Sequence, residues 1–181
     1  MRSLIMVYTL TALLVFFPLS KSYAQDQLSI NIEGQADPPL EIVGDGIYRK
    51  FGFSIYHATL WAPDGVWDSN KPYALELRYM RDLSKDTLVD SIIDNVRDQD
   101  IASDEKLELW EADLNKYIPP VEEDDIMIGV SEPDGGATFY FNGKVVSKIN
   151  DTVFARAFFN IWFGKNADKD LQAELLGKIS D

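Results

Sequence analysis

The sequence predicts an α+β fold in which an antiparallel sheet carries helices on one side. Three observations lead there. Segments of period-two apolar alternation come first, two segments of helical period interrupt them, and a hairpin followed by further helix closes the chain. No internal repeat, low-complexity run or interdomain linker divides the 181 residues. That length suits one domain with a substantial core.

The elements follow in order. Leu28, Ile30 and Ile32 alternate with polar residues, as on a half-buried strand. Gly34 to Pro39 is a break, and Gly44-Asp45-Gly46 reads as a turn. From Phe51 onward, Phe51, Phe53 and Ile55 point one way and Tyr56, Ala58 and Leu60 the other. Both faces are apolar, which predicts a central strand. Ala62-Pro63-Asp64-Gly65 ends it, and Tyr73, Leu75, Leu77 and Tyr79 form the next strand.

The period changes at Ser84, which can cap a helix with the stripe Leu88, Ile92 and Val96, stapled by Leu83. A second helix starts near Ser103, with Leu107, Trp110, Leu114 and Tyr117 on one face, and Pro119-Pro120 stops it. Ile126 to Val130 returns to strand, and Asp134-Gly135-Gly136 turns the chain. Phe139–Phe141, Asn142-Gly143 and Val145-Val146 read as a hairpin with a type I′ turn. Asp151 caps a last apolar helix bearing Phe154, Ala157, Phe158, Ile161 and Trp162. Gly164 ends that helix, and a short amphipathic helix reaches Leu176 and Gly177.

The N-terminus carries its own signal. Arg2 precedes an apolar run from Leu4 to Leu19, and Ser22-Tyr23-Ala24 is a small-x-small pattern. This order of parts predicts a secretory signal over residues 1–24 and a mature domain over 25–181. The run is short for a bilayer span, and no later stretch predicts stable membrane insertion. The full chain has a formal charge of −13, and losing Arg2 and Lys21 with the signal makes the mature chain more acidic. Such a charge repels nucleic acid and anionic lipid head groups and argues against both as partners.

There is no cysteine. Disulfides, lipid attachment through cysteine, thiol catalysis and cysteine–metal sites are thereby excluded. The single histidine, His57, excludes sites that need two, and its mid-strand position favours a structural role. Glu122-Glu123-Asp124-Asp125 lacks the alternating ligands and internal glycine of a calcium loop and reads as a solvated connection. Asn150-Asp151-Thr152 fits a glycosylation acceptor, but capping of the following helix is the better reading. No cofactor or metal motif is present. Trp61, Trp110 and Trp162 fall at core positions, while Tyr48, Tyr56, Tyr73 and Tyr79 suit either a core or a pocket with hydroxyl tips.

Three segments carry a family likeness. They are Gly44-Asp45-Gly46 leading into Phe51 through Trp61, then Ala74 through Ser84, then Phe154 through Gly164 with Leu175-Leu176-Gly177. Together they resemble the exported bacterial branch of the chalcone isomerase-like proteins. The resemblance implies an open-faced sandwich: one large antiparallel sheet, a helical layer, and a cleft between them. It implies a periplasmic location as well.

In plant enzymes of this fold the cleft closes a flavonoid ring with an arginine, a threonine, a tyrosine, an asparagine and a further hydroxyl residue. Related plant proteins bind fatty acids. The corresponding positions here are Tyr48 for the arginine, with Arg49 beside it, Tyr56 for the strand threonine, and Leu88 for the tyrosine. Asn95 matches the asparagine, and Ile161 stands for the last hydroxyl. The resemblance therefore implies a cleft that binds a small hydrophobic molecule, fatty-acid-like or phenolic, with Tyr48, Arg49, Tyr56 and Asn95 at its polar end. An isomerase or intramolecular lyase using Tyr48, Tyr56 and Asn95 is the second reading, and an envelope interaction protein with a filled cleft is the third.

Overall fold

In a computed structural model of the chain, residues 39–178 are described. The expected signal and the expected strand at Leu28–Ile32 lie outside the described residues. The alternating segments pair as an antiparallel meander in chain order: β1 (Leu40–Lys50), β2 (Phe53–Pro63), β3 (Tyr73–Tyr79), β4 (Ile126–Ser131), β5 (Ala137–Phe141) and β6 (Lys144–Ile149). Between β3 and β4 the chain makes α1 (Lys85–Arg97) and α2 (Asp104–Tyr117), and α3 (Thr152–Phe163) and α4 (Lys169–Leu175) follow β6. A two-way backbone bridge between Leu83 and Val121, at 2.9 and 3.0 Å, closes the α1–α2 excursion at its base. This is the α+β sheet-and-helix architecture expected.

Two expectations are corrected on β1 and β2. Gly44-Asp45-Gly46 is not a turn but the middle of β1, paired to Leu60, Thr59 and Ala58. Its glycines share one face two residues apart, and α4 packs directly onto them. A Cβ at Gly44 would meet the Leu175 carbonyl oxygen at 2.8 Å, and one at Gly46 would meet Leu171 Cδ1 at 2.9 Å. Close approach of α4, by its backbone at Gly44 and by the Leu171 and Glu174 side chains at Gly46, selects glycine here in place of turn geometry.

The second correction concerns Phe51. It belongs to the hairpin between β1 and β2, where Lys50 pairs with Phe53 and Phe51-Gly52 forms the turn with φ of 52° and 79°. β2 is still flanked by a strand on each side. A register irregularity beside Tyr48 leaves Ile55 opposite no β1 residue, which breaks the simple alternation expected of Ile55 and Tyr56.

The helix starts follow their caps. Ser84 accepts a hydrogen bond from Thr87 N at 3.2 Å, and Ser103 from Lys106 N at 3.4 Å. The Asn142-Gly143 turn has φ of 46° and 78°, as a type I′ turn requires. Asn142 also ties this hairpin to the acidic loop by donating to Asp125 Oδ1 at 2.8 Å. That contact gives the Glu122–Asp125 run a structural use. Of the second helix's predicted face, Leu107, Trp110 and Leu114 are buried, while Tyr117 is exposed.

Asp151 caps α3 by accepting from Val153 N and Phe154 N, each at 3.1 Å. Its other oxygen accepts from Trp110 Nε1 at 3.1 Å and pairs with Lys106 Nζ at 2.8 Å, tying α3 to α2. Partial burial opposes ionisation of this carboxyl. The Lys106 ammonium and the Phe154 and Trp110 N–H donors outweigh it and hold the group at about 2, against an ordinary 3.8. A depressed carboxyl pKa stabilises the fold above the unfolded value and loses that contribution as pH falls toward the folded one. Asp151→Ala is therefore expected to cost about 1–2 kcal/mol at neutral pH. Urea midpoints of the variant and wild type should converge as pH drops from 3.8 toward about 2. A constant gap across that window would show that the cap does not act through its charge.

Candidate functional site

Among the described residues, α4 packs on β1 and β2 and α3 meets β6, while α1 packs on α3 and α2 on α1. The helices form a layer over the face of the sheet that carries Gly44, Gly46, Leu77, Tyr79 and Phe139. They do not fill the space against it. Between them lies a cavity of about 500 Å³, within the roughly 300–1,000 Å³ usual for small-molecule sites. Tyr56, Leu77, Tyr79, Met127 and Phe139 form its sheet wall. Leu88 and Ile92 of α1, Phe158, Ile161 and Trp162 of α3, and Leu171 of α4 form the helical wall.

The pattern on α1 explains how the space stays open. The stripe read from the sequence was Leu88, Ile92 and Val96, but the buried residues are Val89, Ile93 and Val96. The adjacent row, Leu88 and Ile92, is only half-buried and faces the cavity. An apolar face two rows wide thus packs one row into the core and turns the other to a void.

The sheet side of the cavity carries three phenols, Tyr48, Tyr56 and Tyr79. Tyr48 stacks on Tyr56, with ring centroids 5.1 Å apart, and Tyr79 meets Tyr56 edge-on at 6.1 Å. Trp162 Nε1 donates to the Tyr56 hydroxyl oxygen at 3.1 Å. The Tyr56 proton is therefore directed elsewhere, since its oxygen already accepts. Burial pushes the Tyr56 phenol well above its ordinary value. The Trp162 donor opposes this, and the nearby Tyr48, Tyr79 and Asp168 reinforce it. Burial raises Tyr79 as well, and burial followed by the Asp168 charge raises Tyr48. All three are neutral donors near pH 7 and not phenolate bases.

The rim is charged. Asp90, Asp94 and Asn95 of α1 line it, with Lys50 of β1 and the α3–α4 connection. Asn166 Nδ2 in that connection donates to the Asp98 carbonyl at 2.7 Å, and Asp168 caps α4 by accepting from Leu171 N at 3.0 Å. Asn95 is exposed, and its Nδ2 donates to the Ser91 carbonyl one turn back at 2.7 Å.

The structure thus brings together Tyr48, Tyr56 and Asn95 and leaves Arg49 out. Arg49 is exposed on the other face of β1, with Nη1 3.5 Å from the Ile47 carbonyl. The cation at the cavity is Lys50, two residues beyond Tyr48 and so on the same face. That period-two rule could have found Lys50 in the sequence. Nothing local marks Asp168 or the Trp162 donor. Of the four strand tyrosines, Tyr73 packs instead against Trp67, Phe159 and Phe163. His57 Nε2 lies 2.7 Å from Asp45 Oδ2 and does not line the cavity. Among the described residues no group of three acidic, His or Cys side chains is placed to hold a metal ion, and no helix is long and apolar enough to cross a membrane.

Among the described residues, a six-stranded antiparallel sheet under a helical layer, with a partly apolar cleft between them, defines an open-faced α+β sandwich. The chain belongs to the chalcone isomerase-like family, whose model matches residues 24–177. Among solved structures, a fatty-acid binding protein of Arabidopsis thaliana is similar in fold, with a TM-score of 0.64 at 12% identity over 78% of this chain and 88% of that one. A search of curated protein sequences finds no match. Tyr48, Tyr56, Leu88, Asn95 and Ile161, the positions that the family resemblance singles out in the sequence, all line this cavity.

Proposed function

We propose that this protein binds one small amphipathic molecule in the cavity, with an apolar body and an oxygen-bearing end, fatty-acid-like or phenolic. The observation that carries the reading is the pairing of apolar walls with three adjacent, protonated phenols at Tyr48, Tyr56 and Tyr79. Neutral donors suit a carboxylate or phenol oxygen, and Lys50 at the rim adds positive charge. The fatty-acid binding protein of similar fold supports the same ligand class. An unfilled space of about 500 Å³ favours a ligand over the reading of a plugged interaction module.

Ring closure draws on the same donors as oxyanion stabilisers. It is the weaker reading, because Leu88 and Ile161 supply no hydroxyl and all three phenols are held above their ordinary value. Equal rates of chalcone cyclisation with and without the protein, across a range of pH, would remove it.

Export is part of the proposal: the mature domain starts after Ala24 and works in the periplasm. Native mass spectrometry of protein purified gently from the cell envelope tests both parts. The expected result is a chain beginning at Gln25 and carrying one apolar molecule of low mass. An apo mass that also stays apo on titration with fatty acids and phenolics would sink the ligand reading. A chain retaining residues 1–24 would sink cleavage.

A further inference from the structure

The β1–β2 hairpin projects past the cavity rim and ends in two exposed aromatic residues. Phe51 is 90% exposed and Phe53 is 61% exposed. A Cβ built at the neighbouring Gly52 would meet nothing within 4 Å, so the tip stands in open space. Turn chemistry does not call for this side chain: with φ of 52°, position 51 favours asparagine, aspartate or glycine. Met80 extends the apolar surface, since its N–H donates to the Ile55 carbonyl at 2.9 Å and its side chain is exposed.

The charge of the tip is opposite to that of the chain. From Ile47 to Pro63 the sequence holds Arg49 and Lys50 and no acid, within a protein of formal charge −13. Arg81 lies over the Phe53 ring at 5.1 Å, and Lys50 Nζ over the Phe51 ring at 5.9 Å. The adjacent Asp82 is engaged by the Glu123 N–H at 2.9 Å. Exposed aromatics flanked by cations match the layering of a phospholipid surface, with rings at the acyl boundary and cations at the phosphates. Screening confines the effect of distant charges to about 8 Å at physiological ionic strength. The Glu122–Asp125 loop is nearer, bonded through Asp124 N to the Tyr79 carbonyl and through Glu123 N to Asp82 Oδ1, each at 2.9 Å. The match therefore rests on the two rings and the cations seated over them and not on a uniformly basic face.

We propose that the Phe51–Phe53 hairpin tip docks reversibly on a phospholipid surface and sets the cavity rim against it. Tyr48, Lys50 and Ile55 of the same hairpin line the cavity, so docking brings its mouth to the membrane. The inference rests on the ligand reading only for its purpose. An amphipathic ligand would pass between bilayer and cavity without crossing bulk water, whereas the docking itself depends on the tip alone.

The test is vesicle flotation with mixed phosphatidylethanolamine and phosphatidylglycerol, beside a solution titration with a fluorescent fatty acid. Wild type should float with the vesicles. Phe51→Ser/Phe53→Ser should cut the vesicle-bound fraction by about tenfold or more, with an unchanged circular-dichroism spectrum and unchanged fatty-acid affinity in solution. Arg49→Gln/Arg81→Gln should weaken flotation more at low salt than at high salt. Wild type that stays in solution, or a serine variant that floats equally well, overturns docking. So does a Phe51-dependent dimer in sedimentation, which would make the tip a contact between copies. Flotation without any fatty-acid binding would instead overturn the ligand reading and leave the docking surface standing.

Discussion

Leu88→Trp combined with Ile161→Trp is expected to weaken ligand binding at least about a hundredfold, near 2.8 kcal/mol. Leu88 projects from α1 and Ile161 from α3, and both are half-buried against the same space. Two indoles would occupy the volume a ligand needs. Overpacking a filled core costs about 1–3 kcal/mol; here the added bulk enters an existing void, so thermal stability should change little. A displaceable fluorescent fatty acid measures the affinity, and a melting curve monitored by circular dichroism measures the fold. Undiminished affinity in a folded double variant would place the ligand outside the cavity. Lost affinity with lost folding would call for the single variants, each of which adds half the bulk.

Gly44→Val is the second large effect, expected to destabilise the fold by about 3 kcal/mol, at the upper end of overpacking costs. A Cβ at Gly44 would meet backbone atoms of the α4 end, the Leu175 carbonyl oxygen at 2.8 Å and Gly177 N at 3.1 Å, so no side-chain rotation relieves it. Valine is otherwise a good strand residue, so propensity argues for a gain and packing for a loss. Because Asp168 and Leu171 flank the cavity, displacement of α4 should also weaken ligand binding. Urea denaturation and amide exchange in residues 169–175 read the two consequences. Gly52→Asn is the control: φ is +79° but no atom is near, and asparagine tolerates that conformation. A near-neutral Gly44→Val would mean that α4 does not pack on β1 in solution.

Much of the architecture is legible along the chain because its determinants are local. Ser84, Ser103 and Asp151 are helix caps in the structure as in the sequence, since a cap acts through side-chain bonds to donors two or three residues ahead. Asn142-Gly143 makes its turn for an equally local reason. The family likeness adds Tyr48, Tyr56 and Asn95, which line one cavity although the β1–β2 hairpin and α1 lie far apart in sequence.

What failed to show depends on what lies across the fold. Gly44 and Gly46 look like a turn until α4 is seen against them. The α1 stripe shifts from Leu88, Ile92 and Val96 to Val89, Ile93 and Val96 because only contacts with other elements decide which apolar row is buried. Arg49 and Lys50 are adjacent cations, and strand pleat together with the register beside Tyr48 puts Lys50 at the cavity.

The sequence by itself therefore determined the order and type of the elements that follow Lys50, the caps, the Asn142-Gly143 hairpin, the lack of cysteine and the family. Periodicity, capping and composition act within a few residues or over the whole chain, so no tertiary contact is needed to read them. Only the tertiary structure decided that the cleft is open, that three phenols meet in it with Trp162 donating to one, and that Phe51 and Phe53 stand exposed beside its rim. Those features depend on distances between residues up to 106 positions apart, as Tyr56 and Trp162 are, and packing sets such distances, not local preference.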